Sequence, residues 1–309
     1  MIHDETLPDK MIERITNENL AIFLFHGVIN QQTHRVRNYT GKHIKADLFA
    51  TCMKRLSKFG NALSMDEVLY FCESGEALPP RAYAVTFDDG FENNISVAAP
   101  ILADFEIPAM IYITSGFVEG NQMSWIDCIE NAVEMTTMDK IKVEWSNDAF
   151  LLQTTEHRID FLTQIRLFVK NEPDCDPNVF AEQLCDQLGV PGQIESNDPI
   201  DLKMNWADVQ KANESEFFSI GGHSHTHPTL SFLDDNQLAF ELDTCLYLLK
   251  EEAGVSPAHF SYPEGLSHCY SEKVIKELKK RGVRCSPTAI DGINKTGADP
   301  FHLLRIMVG

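Results

Sequence analysis

The sequence contains no apolar segment long enough to cross a bilayer as a helix. The run Leu20–Phe25 ends at His26 and Gly27, well short of the roughly 20 apolar residues that a span requires. Nor is an export signal expected. Met1–Asn19 carries His3, Asp4, Glu5, Asp9, Lys10, Glu13 and Arg14 and offers no apolar core for a signal peptide. Positive charge is scarce: 26 Lys and Arg stand against 46 Asp and Glu, a formal net charge of −20. A surface that acidic repels phosphate backbones and anionic headgroups at long range, so neither nucleic acid nor membrane is expected as a partner. The eight cysteines, at 52, 72, 128, 175, 185, 245, 269 and 285, form no CxxC pair and no repeated spacing. Reduced thiols and a cytoplasmic location are the expectation. Linkers, internal repeats and low-complexity tracts are also missing, so residues 1–309 read as a single domain.

What is present is ordinary globular composition, 43% hydrophobic and 23% charged, ample for a large core. Short β-rich runs alternate with amphipathic stretches. Ala21–Phe25, Ala82–Phe87, Ala109–Thr114, Phe217–Gly221, His259–Tyr262 and Val283–Ser286 read as strands. Helices are expected near Ala46–Phe59, stopped by Gly60, and after the capping-box pair Ser64 and Glu67, ending at Gly75. Further helices are expected near Ser96–Phe105, Asp235–Glu252 and Ser271–Arg281. Repeated β-then-α order implies a parallel sheet with helices outside, as a barrel or a doubly wound sheet. Between about Gly120 and Asn213 the strand signal fails, and Pro173, Pro177, Pro191 and Pro199 break up a polar, partly helical stretch. This reads as an insertion packed over one end of the sheet.

Three places carry chemistry, each just after an expected strand, where parallel α/β folds build their sites. In Thr86-Phe87-Asp88-Asp89-Gly90, two adjacent carboxylates repel each other unless a cation or proton intervenes, and Gly90 permits the tight turn that brings both to one place. Asp-Asp-Gly is equally good chemistry for a plain solvated turn. In Gly221-Gly222-His223-Ser224-His225-Thr226-His227-Pro228, His223 and His227 are spaced so that two imidazoles reach one metal. The plain alternative is a His-rich surface loop. Two imidazoles with one carboxylate form a catalytic zinc arrangement that leaves a position for water, whose pKa falls to about 7. The second carboxylate can then take that water's proton. In Phe260-Ser261-Tyr262-Pro263-Glu264-Gly265, a Pro-x-Gly turn can aim backbone N–H groups at a developing oxyanion, or simply turn the chain.

TFDDG, then HSHTH-P, then FSYPEG, in that order, resembles the polysaccharide deacetylases of the NodB-homology type, carbohydrate esterase family 4. The resemblance covers roughly Leu20–Leu102 and Phe217–Arg305. It implies a distorted (β/α)7 barrel, here with a largely helical insertion at about 120–213 over the active-site end. It also implies a metal-dependent amidase that removes an N-acyl, mainly acetyl, group from an amino sugar. By resemblance Asp88 is the general base, and Asp89, His223 and His227 hold Zn2+ or another divalent transition metal. The Glu264 backbone N–H takes the oxyanion position, and the partner is an N-acylated sugar or glycan precursor. Leu24–Val28, Met123-Ser124-Trp125 and Asp299-Pro300-Phe301 resemble a bacterial branch linked to surface-polysaccharide biosynthesis.

The sequence also departs from the family. Ser261 stands where an Arg often steadies the base, and Glu264 stands where Tyr is common; Arg305 is the expected substitute for the Arg. The late Leu-x-His motif, whose His is the general acid, gives way to Leu303-Leu304-Arg305-Ile306. His26, at the end of the first strand, is the expected replacement, with a structural core histidine as the alternative and His225 and His302 as weaker candidates. Two other readings stay open: hydrolysis of a small non-sugar amide, and a non-catalytic sugar-binding protein that keeps a metal. An aromatic such as Trp125 in the pocket would favour a sugar.

Overall fold

The structure, a computed structural model, describes residues 5–172, 175–190, 192 and 196–309. Pro173 and Pro191, read above as breakers, lie outside the described residues, as do His3 and Asp4. One sheet carries the fold, with strands β1 (Asn19–Phe25), β2 (Ala82–Phe87), β3 (Ala109–Ile113), β4 (Phe218–Gly222) and β5 (Ile306–Met307). They lie in the order β5-β1-β2-β3-β4, every neighbouring pair parallel. Asn61–Ala62 adds a short parallel pairing to β2, and Asn294–Lys295 an antiparallel one to β1. β1, β2 and β3 are apolar along nearly their whole length and almost entirely buried, as expected of parallel strands covered on both faces.

Past β4 the ladder continues through single bridges, Gly222 to Phe260 and His259 to Cys285. The Ser286 N–H then donates to the Pro300 carbonyl, Thr288 to Leu303, and Arg305 to Ile290. From there β5 returns to β1, with Phe23 opposite Ile306. Backbone hydrogen bonds thus run through seven segments and close on β1, a distorted (β/α)7 barrel. Two expected strands, His259–Tyr262 and Val283–Ser286, are reduced to those bridges. The reason is local: Glu264 and Gly265 both sit at φ 59, turning the chain away, and Pro287 has no N–H to extend the ladder.

Side-chain parity sorts the two faces. Ala21, Phe23, Phe25, Tyr83, Val85 and Phe87 pack outward against helix Ala46–Phe59 through Phe49, Met53 and Leu56. Leu20, Ile22, Ala82, Ala84, Met110 and Tyr112 face inward onto Leu69 and Leu303. The expected capping box closes helix Met65–Ser74, with Ser64 and Glu67 exchanging bonds and Gly75 at φ 68. The expected helices near 96–105, 235–252 and 271–281 appear as Asn94–Ala98 with Ala99–Asp104, Asp235–Ala253 and Glu272–Lys280.

The insertion has a small core of its own. Helices Trp125–Met135, Thr155–Asn171 and Pro177–Gln187 bury Ile129, Val133, Phe161, Ile165 and Leu184 together. It is not wholly strandless: Lys140–Ile141 and Phe150–Leu151 form a short antiparallel pair.

Candidate active site

Asp88 continues the inward face of β2 after Ala84 and Thr86. Its N–H donates to the Phe25 carbonyl at 3.0 Å, so the ladder still holds the backbone there. The next two residues turn sharply, Asp89 at φ 75 and Gly90 at φ 77. A Cβ on Gly90 would also lie 3.0 Å from Ile113 Cδ1, so the position suits glycine in both conformation and space. Both carboxylates then line one cavity. A non-glycine residue at positive φ is costly and clusters at functional sites. Asp89, Ser224, His227 and Glu264 all adopt it here.

The histidine loop follows β4 and is shaped by a buried carboxylate. Glu241, from helix Asp235–Ala253, accepts the N–H groups of His225 and Thr226 at 2.8 Å each, and the Ser224 hydroxyl accepts the His227 N–H at 3.0 Å. His223 Nδ1 lies 2.8 Å from the Ser261 carbonyl, an acceptor, so Nδ1 carries the proton and Nε2 keeps its lone pair. Burial pushes the His223 pKa down to about 4, which keeps the ring neutral at neutral pH. Nε2 of His223 and Nε2 of His227 lie 3.7 and 3.5 Å from Asp89 Oδ1. One ligand atom from each of Asp89, His223 and His227 falls within 4.8 Å of the other two. Asp89 Oδ1 is buried and has no hydrogen-bond partner among the described residues. A buried carboxylate oxygen without a donor, facing two imidazole nitrogens, fits a divalent cation.

Asp88 stands beside this group, its Oδ2 3.8 Å from His223 Nε2. Arg305, fully buried, grips it with two parallel bonds, Nη1 to Oδ1 and Nη2 to Oδ2, both 2.8 Å. Arg305 Nη2 also donates to Ser261 Oγ at 2.8 Å, and that hydroxyl donates to Asp88 Oδ2 at 3.2 Å. The guanidinium is itself anchored by Nε to the Thr288 carbonyl at 2.6 Å. Burial alone would raise the Asp88 pKa, but Arg305 and then His223 outweigh it and hold the carboxyl below its ordinary range. Asp89 goes the same way and further: burial is opposed chiefly by Lys42, with His227 next.

Residues 190–286 match the family described as Polysaccharide deacetylase. The resemblance is to the polysaccharide deacetylases. The chain has no match among curated proteins. In fold it is similar to the Streptococcus pyogenes deacetylase PplD in complex with acetate and to IcaB from Ammonifex degensii. Each is 15% identical, with a TM-score of 0.59 over 95% of this chain and 93% of that one. It is also similar to the BpsB deacetylase domain from Bordetella bronchiseptica, 16% identical, TM-score 0.55, over 95% of this chain and 97% of that one. The polysaccharide deacetylase match takes in His223, His227, Ser261 and Glu264. Asp88, Asp89 and Arg305 lie outside it and join the site through the barrel.

The shared cavity measures about 320 Å³, within the usual range for small-molecule sites. Its wall includes Ser124, Trp125, Ile126 and Arg166 from the insertion, together with His26 and Glu264. Burial lowers the His26 pKa, and Lys42 and Arg305 add to that against Asp89 and Asp88, which pull it up. The ring is therefore neutral at neutral pH. The two weaker candidates lie apart: His225 Nδ1 meets Ser115 Oγ at 3.0 Å, and the half-exposed His302 pairs with Asp299 at 3.1 Å. Sequence reasoning missed Glu241, Lys42 and Asp127. Lys42 Nζ lies 3.1 Å from Asp89 Oδ2 and 3.4 Å from Asp127. Asp127 carried a signal in its place on the first turn of a helix capped by Ser124, but that pattern serves any helix start.

Proposed function

We propose that this protein is a metal-dependent hydrolase that removes an N-acyl group, chiefly acetyl, from an amino sugar of a glycan or glycan precursor. The observation that carries the reading is the convergence of Asp89, His223 and His227 beside Asp88, whose two oxygens are held by Arg305. Asp89 and the two imidazoles would hold the ion, most naturally zinc given one carboxylate and two nitrogens. A bound divalent ion supplies Lewis acidity to the acyl carbonyl and lowers the pKa of an attacking water.

The remaining roles fall to side chains and backbone. Asp88 takes the proton of the attacking water; Arg305 keeps it ionised at neutral pH and fixes its direction, while Ser261 supports both. Glu264 sits on a left-handed turn at the cavity wall, and its N–H would donate to the carbonyl oxygen as negative charge develops there. His26 hands a proton to the leaving amine. The proton it passes on is the one Asp88 takes from the water, so both Asp88 and His26 return to their starting states when the amine leaves.

From the insertion at about 120–213, part of one domain spanning 1–309, Ser124, Trp125, Ile126 and Arg166 would form the wall against which the sugar packs, with Trp125 as the stacking surface. Trp125 favours a sugar over a small amide, since an apolar sugar face packs well on an aromatic ring. Among the described residues none of the eight cysteines is joined in a disulfide, which supports work in a reducing compartment such as the cytoplasm. Among the described residues no helix is long and apolar enough to cross a membrane.

The test is acetate release from N-acetylated chitooligosaccharides by the zinc-loaded protein, compared with chelator-treated protein and with Asp88→Asn. Release that depends on both metal and Asp88 supports the reading. Binding of the oligosaccharide without turnover would point instead to a sugar-binding protein, and turnover of simple acetamides alone to a small-amide hydrolase.

A further inference from the structure

Helix Trp125–Met135 turns one acidic face toward the loop 31–42. Asp127, Glu130 and Glu134 follow at i, i+3 and i+7, and each holds part of that loop. Glu134 Oε2 accepts the Val36 N–H at 2.6 Å and the Arg37 N–H at 3.3 Å. Glu130 Oε2 accepts the Asn38 N–H at 3.0 Å. Asp127, one turn nearer the site, takes the Lys42 ammonium at 3.4 Å on both oxygens. Lys42 is the link that reaches the centre, its Nζ 3.1 Å from Asp89 Oδ2. One ammonium is therefore shared between a carboxylate of the metal triad and a carboxylate of the insertion. Lys203, fully buried, stands behind Asp127 at 3.9 Å and donates to the Asp201 carbonyl at 2.8 Å.

We propose that Lys42 is a positioning residue that keeps Asp89 a one-oxygen ligand, and that Asp127 sets how strongly it does so. The inference rests on the reading of Asp89, His223 and His227 as a metal triad. Its physical basis is the division of labour between the two oxygens of Asp89. Oδ2 is engaged by Lys42, while Oδ1 faces the two imidazoles without a donor. An ammonium on Oδ2 keeps that oxygen off the ion and repels the ion's charge. The ion is then held less tightly, and its carboxylate ligand quenches less of its Lewis acidity. Asp127 draws Lys42 the other way and limits the effect. By this route the insertion, which walls the cavity, also tunes the metal beneath it.

The two partners give the test opposite signs. In Lys42→Met both Asp89 oxygens are free for the ion, so the zinc Kd, measured by competition with a chromophoric chelator, should tighten about tenfold while kcat falls about tenfold. The visible absorption of the cobalt-loaded variant should weaken as a second oxygen raises the coordination number. In Asp127→Asn, Lys42 bears on Asp89 alone, and the zinc Kd should weaken about tenfold. Lys42→Arg should keep a zinc Kd near that of the unsubstituted protein. Circular dichroism and melting curves check that each variant is folded. If Lys42→Met is unfolded, Asp127→Asn and Lys42→Arg still decide the matter. Zinc affinity that weakens or stays level in Lys42→Met, or moves the same way in both single variants, overturns the inference. Failure of the triad reading itself shows separately, as zinc binding to the unsubstituted protein that is absent or unaffected by Asp89→Ala.

Discussion

Replacing Arg305 with methionine removes the guanidinium and leaves the Asp88 carboxylate buried beside an apolar side chain of similar length. Native Arg305 spans Asp88, Ser261 and the Thr288 carbonyl and is fully buried. Removing one partner of a buried pair costs about 3–5 kcal/mol, because the other charge stays without compensation. An unfolding entropy of about 2.1 cal/mol/K per residue, over 309 residues, turns that cost into a fall in Tm of about 5–8 °C. The pH dependence is the sharper signature. In the native protein Asp88 is held below the ordinary carboxylate range, so the pair stabilises fully above the unfolded value near 4 and loses that stabilisation as pH falls through the folded one. In the variant burial prevails and the folded pKa rises above the unfolded value. The ionised group then destabilises at neutral pH, and acid relieves it. The Tm gap between the two proteins should therefore be widest near pH 7 and shrink toward pH 4. Calorimetry or circular dichroism melts in the presence of a chelator measure it without interference from metal. A gap of under 1 °C at pH 7, or one that widens in acid, would refute the reasoning.

Asp88→Asn should lower kcat by about 10²–10⁴ with zinc content unchanged by elemental analysis, since in the proposed mechanism Asp88 would move a proton and leave coordination to Asp89, His223 and His227. His223→Ala should lose the metal as well as the activity, and a variant that kept stoichiometric zinc would remove His223 from the triad. Trp125→Ala should raise KM for chitooligosaccharides about tenfold with kcat little changed, and leave KM for a small acetamide alone. Burial pushes the thiols of Cys52, Cys128 and Cys245 up to about 12 and those of Cys72 and Cys185 to about 11, while Cys175 is raised less. A thiol reagent at pH 8 should therefore label Cys175 first and count all eight only after denaturation. Fast modification of Cys52 in the native protein would contradict the burial.

The fold was most legible where one residue decides one feature. Ser64 and Glu67 announce a capping box whichever barrel surrounds them, and Gly75 ends that helix because a left-handed residue is needed there. The apolar runs of β1, β2 and β3 could hardly be anything but strands buried on both faces. Strand length failed at 259–262 and 283–286. Apolar composition there is as strong as in β4, but the outcome turns on Pro287 and on the left-handed pair Glu264 and Gly265 just beyond each run.

The site divided along the same line. Asp88, Asp89, His223 and His227 are visible because each pair sits within five residues and just past a strand, so sequence proximity stands in for spatial proximity. The geometry of Arg305 depends on closure of the barrel, which brings a residue 217 positions downstream of Asp88 within 2.8 Å of it. Lys42 and Asp127 are harder still. Each is one charged residue in a chain with 26 basic and 46 acidic side chains, where most charges face solvent. What sets these two apart is burial together: the Lys42 side chain is 16% exposed and that of Asp127 7%. Burying an ammonium and two carboxylates is costly unless each meets its opposite. The chain between Asp89 and the insertion meets that condition with three charges in a row, Asp89, Lys42 and Asp127, and a fourth behind them in Lys203. A divalent ion at Asp89 Oδ1 extends the same alternation by one step. The excess acid of the protein, spread over its surface, thus gives way at the centre to a line of alternating sign, in which Asp89 is the one member left with an oxygen to spare.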